Sequence, residues 1–211
     1  MSDPAPPSLA LEDSRNADSL THLLSTLFEP SPPLHSLLVP SVLLRLTATT
    51  TPPPSYSALI DLCAEVASGW TYPQKAEFLS GHPMIGEQKA VSKLSGKEQG
   101  AGPVTPKVVL DRLAHLNQVY CAIYPGLRFI TFVAGRPRSA IVPEIEQTCD
   151  LPLSPQPLPE DFAVNEPKLD SDEVIRRIRD PNGEAWKREC ERGLEDVWRI
   201  GKARLGALGL E

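Results

Sequence analysis

The sequence predicts an all-α protein, a single compact helical bundle with one short extended segment and a Pro-rich insertion loop. Three observations carry this. Apolar residues recur at intervals of three and four in successive runs, the spacing that lays a stripe along one face of a helix. Prolines stand between those runs rather than within them. One β-prone run, Arg128 to Val133, has no second alternating run nearby to pair with, so an isolated extended segment is expected rather than a sheet.

In chain order, residues 1 to 17, with Pro4, Pro6 and Pro7, read as a flexible tail, followed by a helical domain over residues 18 to 208. Asp18 or Ser19 can cap a helix through Leu20, Leu23, Leu24, Leu27 and Phe28. Pro30, Pro32 and Pro33, then Pro52, Pro53 and Pro54, separate short apolar runs, giving helix, corner, helix. Ser55 or Ser57 can cap the helix carrying Leu59, Ile60, Leu62, Cys63, Val66 and Trp70. Pro106 opens the central helix, where Val109, Leu110, Leu113, Leu116, Tyr120 and Ile123 share a stripe. A further helix is expected over about Ser139 to Cys149. Residues 150 to 170 carry Pro152, Pro155, Pro157, Pro159 and Pro167 and read as an inserted loop. Ser171 then caps Val174 to Ile178, and residues 184 to 208 form a long helix whose stripe runs Trp186, Cys190, Leu194, Val197, Gly201, Leu205 and Leu208.

Composition excludes several classes. The 211 residues suit one domain, with 41% hydrophobic and 23% charged content ordinary for a soluble globular chain. Twenty-one Lys and Arg against 27 Asp and Glu leave a net charge of −6, and the basic cluster Arg176, Arg177, Arg179, Lys187 and Arg188 alternates with other residues as a solvated helix face does. No nucleic-acid partner is expected. Cys63, Cys121, Cys149 and Cys190 lie far apart without metal-ligand spacing, so reduced thiols and no metal are expected. No signal-peptide pattern, membrane-length apolar run or glycosylation sequon is present, which reads as a soluble intracellular chain with no membrane association. Its compartment is expected to be cytoplasmic or peroxisomal, although Gly209-Leu210-Glu211 is not a Ser-Lys-Leu type address.

Chemistry concentrates in Gly81-His82-Pro83-Met84-Ile85-Gly86-Glu87 and Ser95-Gly96-Lys97-Glu98-Gln99, where one imidazole stands near carboxylates and small polar groups. Gly81 relaxes the backbone and Pro83 ends any helix running into it, so His82 is expected at the end of an element. An imidazole tuned by Glu87 and Glu98 can exchange a proton near neutral pH, whereas the same histidine can equally be a hydrogen-bonded turn residue. His22, His35 and His115 lack such neighbours and read as packing or solvent-facing groups. Ser95 and Glu98 match a capping box, and a capped helix start also offers free N–H groups to a ligand's oxygens. Phe129 to Val133 reads either as a buried core strand or as a run of unpaired backbone groups. Arg204, one turn beyond Ile200, reads as a surface salt bridge or as a fork for an anion.

Taken in order, several motifs resemble the OHCU decarboxylases of urate catabolism: His82-Pro83; Ser95 and Glu98-Gln99 with Ala101-Gly102; Leu116-Asn117 and Tyr120; Phe129-Ile130-Thr131-Phe132-Val133 with Gly135-Arg136. The likeness closes with Glu189, Leu194, Asp196, Ile200-Gly201 and Arg204-Leu205, and covers most of residues 19 to 208. The resemblance implies cofactor-independent decarboxylation of 2-oxo-4-hydroxy-4-carboxy-5-ureidoimidazoline (OHCU) to (S)-allantoin. It implies His82 as acid/base helped by Glu98, and a substrate site lined by Pro83, Ser95, Gly96, Lys97, Gln99, Phe129, Ile130, Thr131, Phe132, Val133 and Arg204. Gln99 would match donor and acceptor on the ureido group. No cofactor or metal is implied; the partner is the small-molecule substrate, and association into a homodimer through a helical face is compatible with it. The sequence departs from the family pattern at Met84, in the longer turn Tyr124-Pro125-Gly126-Leu127-Arg128, and in the 150 to 170 insertion. A rival reading is a non-catalytic helical module that binds a protein through that Pro-rich loop.

Overall fold

The structure, a computed structural model, describes residues 9–49, 51–86 and 105–210. Every regular element among the described residues is helical, as the apolar spacing predicts. Within the span read as one domain, the chain forms two compact units: Met1–Gly81 with Leu194–Glu211, and His82–Gly193.

In the first unit, the part of the expected tail that is described is folded. Leu11–Arg15 form a 3-10 turn. Tyr56 Oη donates to the Leu9 carbonyl at 3.1 Å, and Arg15 Nη2 to the Thr49 carbonyl at 2.9 Å. Residues 1–8 of that tail lie outside the described residues. Helix α1, Ala17–Phe28, is capped by Asn16 rather than by Asp18 or Ser19. Asn16 Oδ1 accepts from the N–H groups of both, at 3.0 Å each, so the residues expected to cap are the ones being capped. Leu20, Leu23, Leu24, Leu27 and Phe28 are all buried, confirming the α1 stripe.

A π turn over Leu34–Leu38, in which the Val39 N–H reaches the Leu34 carbonyl, leads into α2, Val39–Ala48. Pro40 explains the wider turn, since it has no N–H to offer the preceding turn and its ring crowds that position. Helix α3, Tyr56–Ser68, is capped by Ser55, whose Oγ accepts from the Ala58 N–H at 3.1 Å. Helix α4, Tyr72–Ser80, opens with a capping box between Thr71 and Gln74 and with Pro73 in its first turn. It ends where Pro83 forbids continuation. Phe28, Phe78, Trp70 and Trp198 form an aromatic cluster, with Phe28 edge-on to Trp198 at 5.0 Å and Phe78 stacked on it at 5.7 Å. Gly201 is required there, because a Cβ would fall 2.3 Å from Phe28 Cε1.

The second unit is built on α5, Lys107–Ile123, which starts just after Pro106 as predicted. After the loop 124–137 and a 3-10 turn, α6 spans Ile141–Thr148. Helix α7, Asp172–Ile175, is capped by Ser171 and is shorter than the Val174 to Ile178 span expected. Helix α8, Glu184–Leu208, contributes its first turns here and its remainder to the first unit. The Pro-rich stretch is a strap fastened to α5. Buried Arg112 donates through Nη2 to Glu146 at 2.7 Å and through Nη1 to the carbonyls of Val164, at 3.1 Å, and of Glu166. His115 Nε2 meets the Pro167 carbonyl at 2.8 Å, and the Ser154 N–H and hydroxyl both donate to Glu146.

No helix among the described residues is long and apolar enough to cross a membrane. The cysteines carry thiols. Burial, reinforced by Glu189, pushes the Cys149 thiol up to about 12, and burial likewise raises Cys63 and Cys121, which keeps these side chains inert.

Candidate functional site

His82 opens the second unit immediately after α4, in a bend, with only 3% of its surface exposed. Gly81 before it has φ −69° and ψ −20°, an ordinary right-handed conformation, so glycine's backbone freedom is not what that position uses. Its missing side chain is what matters: a Cβ would lie 2.7 Å from Ser31 Cβ. The turn from His82 to Gly86 closes at Gly86, whose φ of +83° suits glycine. Arg128 Nη1 donates to the His82 carbonyl at 2.9 Å, and Asn117 Nδ2 to the Ile85 carbonyl at 2.9 Å.

Phe129, Ile130 and Thr131 are buried, and residues 129–133 belong to neither helix nor strand. Both expectations for this segment therefore hold in part: its side chains pack in the core, and its backbone is unpaired by any sheet. The carbonyl groups are largely taken. Arg192 Nη1 donates to the Ile130 carbonyl at 2.9 Å, while Arg136 donates to the carbonyls of Phe132 at 2.7 Å and Val133 at 3.1 Å. Arg136 is held by Glu144 at 2.8 Å, and Thr131 Oγ1 donates to the same carboxylate at 2.6 Å. Arg192 is held by Glu189 and lies over the Phe129 ring at 5.1 Å. Buried Tyr120 donates to Glu189 at 2.7 Å, and burial together with that carboxylate raises its pKa far out of the working range. The N–H groups of residues 129–133 make no hydrogen bond among the described residues. Three of the five carbonyls of residues 129–133 are thus occupied, while none of the N–H groups is bonded among the described residues.

Arg204 belongs to the first unit and is buried rather than solvated. Its Nη2 donates to Glu29 at 2.9 Å and its Nη1 to the carbonyls of Leu27 at 2.9 Å and Thr26 at 3.3 Å, at the carboxyl end of α1. A cation is favoured at that end of a helix, where carbonyls lack partners. Glu87, Ser95, Gly96, Lys97, Glu98 and Gln99 lie outside the described residues. Among those described, no cluster of three or more His, Cys, Asp or Glu is arranged to hold a metal ion.

The sequence reading singled out His82, Pro83 and the 129–133 segment but assigned no role to Arg128, Arg192 or Glu144. One signal was available for Arg192: its i,i+3 spacing from Glu189 on a helix. The long-range pairings to residues 130 and 82 left no trace in local sequence.

A comparison with curated proteins gave no match. The family model for OHCU decarboxylase matches residues 13–153. The match contains His82, the segment Ser95 to Gln99 and residues 129–133; it ends at Leu153, as the Pro-rich strap begins, so Arg204 falls beyond it. With two thirds of its length covered in this way, the chain belongs to the OHCU decarboxylase family and is a carboxy-lyase with a decarboxylase role in urate degradation.

Proposed function

We propose that this protein decarboxylates OHCU to (S)-allantoin without a cofactor, with His82 as the acid/base. The observation that carries the reading is the strip 129–133, in the same unit as His82, where Arg192 and Arg136 take the carbonyls of Ile130, Phe132 and Val133 while the N–H groups make no hydrogen bond among the described residues. The substrate presents the complementary chemistry, with a carboxylate, a ring carbonyl and a ureido carbonyl, all acceptors.

The C4–carboxylate bond breaks to release CO₂, and its electron pair forms a C4=C5 bond as the adjacent C=N nitrogen takes up charge and a proton. The C4 hydroxyl then loses its proton to become a carbonyl, and C5 gains one. The ring is its own electron sink, so the protein's part is to orient the carboxylate out of plane, keep it poorly solvated and move protons. His82 takes the hydroxyl proton and delivers one to a single face of C5, which sets the S configuration. By resemblance Glu98 assists it, Pro83 packs beside the ring, and Ser95, Gly96, Lys97 and Gln99 belong to the substrate site, with Gln99 for the ureido group. Arg204 carries the family's arginine position by resemblance and fixes an anionic group, in addition to its hold on Glu29.

The test uses freshly generated OHCU and compares wild type with His82→Ala and His82→Gln. Loss of a general acid/base removes about 10²- to 10⁴-fold in kcat, so both variants are expected to leave only slow decay to racemic product. Wild-type kcat retained by either variant, at unchanged stability, overturns the role given to His82.

A further inference from the structure

The turn that carries His82 is gripped on both sides by side chains for which the proposed chemistry has no use. Arg128, which closes the Tyr124–Arg128 loop, donates to the carbonyl of His82 itself. Asn117 projects from the buried face of α5 and donates to the carbonyl of Ile85, which is 6% exposed. Gly86, with its left-handed φ, completes a short loop pinned near each end.

Asn117 is an unexpected choice for a core position. It is 4% exposed, and its Oδ1 is buried without a hydrogen-bond partner among the described residues. An amide that satisfies one buried carbonyl while leaving another buried oxygen unsatisfied gains almost no net stability over a leucine of similar size, because one desolvation cost replaces the other. What the asparagine supplies and a leucine cannot is a fixed direction for the Ile85 carbonyl. Arg128 fixes the His82 carbonyl in the same way, through a charged and therefore stronger bond.

We infer that Asn117 and Arg128 are positioning residues for His82, holding the peptide groups on both sides of the Pro83 step so that the imidazole is presented in one orientation. The inference rests on the acid/base reading of His82 given above. Acid/base groups tolerate little displacement, and an error of about 1 Å in a reacting group costs on the order of 10²-fold in rate.

The variants are Asn117→Leu, Arg128→Met and Arg128→Lys, measured for kcat and KM on OHCU, for thermal unfolding, and for the His82 ring resonance by selective ¹³C labelling. Asn117→Leu is expected to unfold near the wild-type temperature, with kcat reduced by about 10²-fold, KM little changed and the ring resonance displaced or broadened. Arg128→Met is expected to behave likewise, and Arg128→Lys, which still donates to the His82 carbonyl, to recover most of the loss. A loss of kcat that only tracks loss of folded protein, or that lysine fails to recover, overturns the inference. If wild type does not turn over OHCU, the proposed function fails and the ring resonance decides alone: displaced in Asn117→Leu and Arg128→Met it supports the clamp, and unmoved in both it refutes it.

Discussion

Arg204 shows how one residue can be read correctly by position and yet incompletely by role. It was expected on a flank of the last helix, either solvated or holding a ligand. Its side chain is 2% exposed, with three acceptors from α1 and the turn after it, which overturns the solvated alternative. Glu29, the C-cap of α1, has a positive φ of 62°, a conformation a non-glycine residue adopts only when its surroundings fix it. Removing one member of a buried ion pair leaves the other charge desolvated and unpaired, at a cost of about 3 to 5 kcal/mol. Arg204→Met is therefore expected to lower the urea-unfolding free energy by that order, and Glu29→Gln by less, because glutamine still accepts from the guanidinium. Equal stability of Arg204→Met and wild type contradicts the structural part of the role. A KM raised by Arg204→Met but not by Glu29→Gln supports the substrate part.

Elements whose identity rests on their own periodicity were legible in the sequence; those that depend on a distant partner were not. Helices α1, α3, α5 and α8 each carry an apolar stripe and were expected close to where they lie. Helix α4 was missed, although Thr71, Pro73 and Gln74 spell a capped start, because its stripe is weak and includes buried Lys75. The Pro-rich stretch is the loop that was expected, but its fastening was not legible, because the anchors Arg112 and His115 sit far away on α5 and look like ordinary helix residues. Fastening the strap gives it a pH dependence. Burial, with Arg112 and Lys168 nearby and despite the opposing Pro167 carbonyl and Glu166, holds His115 below its ordinary value. The neutral ring is thus the form the folded state prefers, and the unfolded chain binds a proton first as pH falls. Stability from this group is complete above its unfolded value, about 6.5, and is lost on acidification through and below it. The slope of unfolding free energy against pH between about 7.5 and 5 should flatten in His115→Gln, which keeps a donor for Pro167 but does not titrate. An identical slope in wild type and variant contradicts the assignment.

At the scale of the whole molecule, family and fold class were readable, because an ordered set of short motifs and a repeated apolar spacing survive in sequence without any knowledge of contacts. The site was readable only as an inventory. His82 and the 129–133 segment were named from sequence, but that three arginines, Arg128, Arg136 and Arg192, tie down the backbone around them emerges only from the fold. Those ties take the carbonyls of Ile130, Phe132 and Val133 and leave the N–H groups of the segment unbonded among the described residues.

The most direct test is the optical activity of the allantoin formed when wild-type protein is added to fresh OHCU. Rapid formation of (S)-allantoin ahead of the spontaneous reaction is the expected result; racemic product accumulating at the uncatalysed rate contradicts the account.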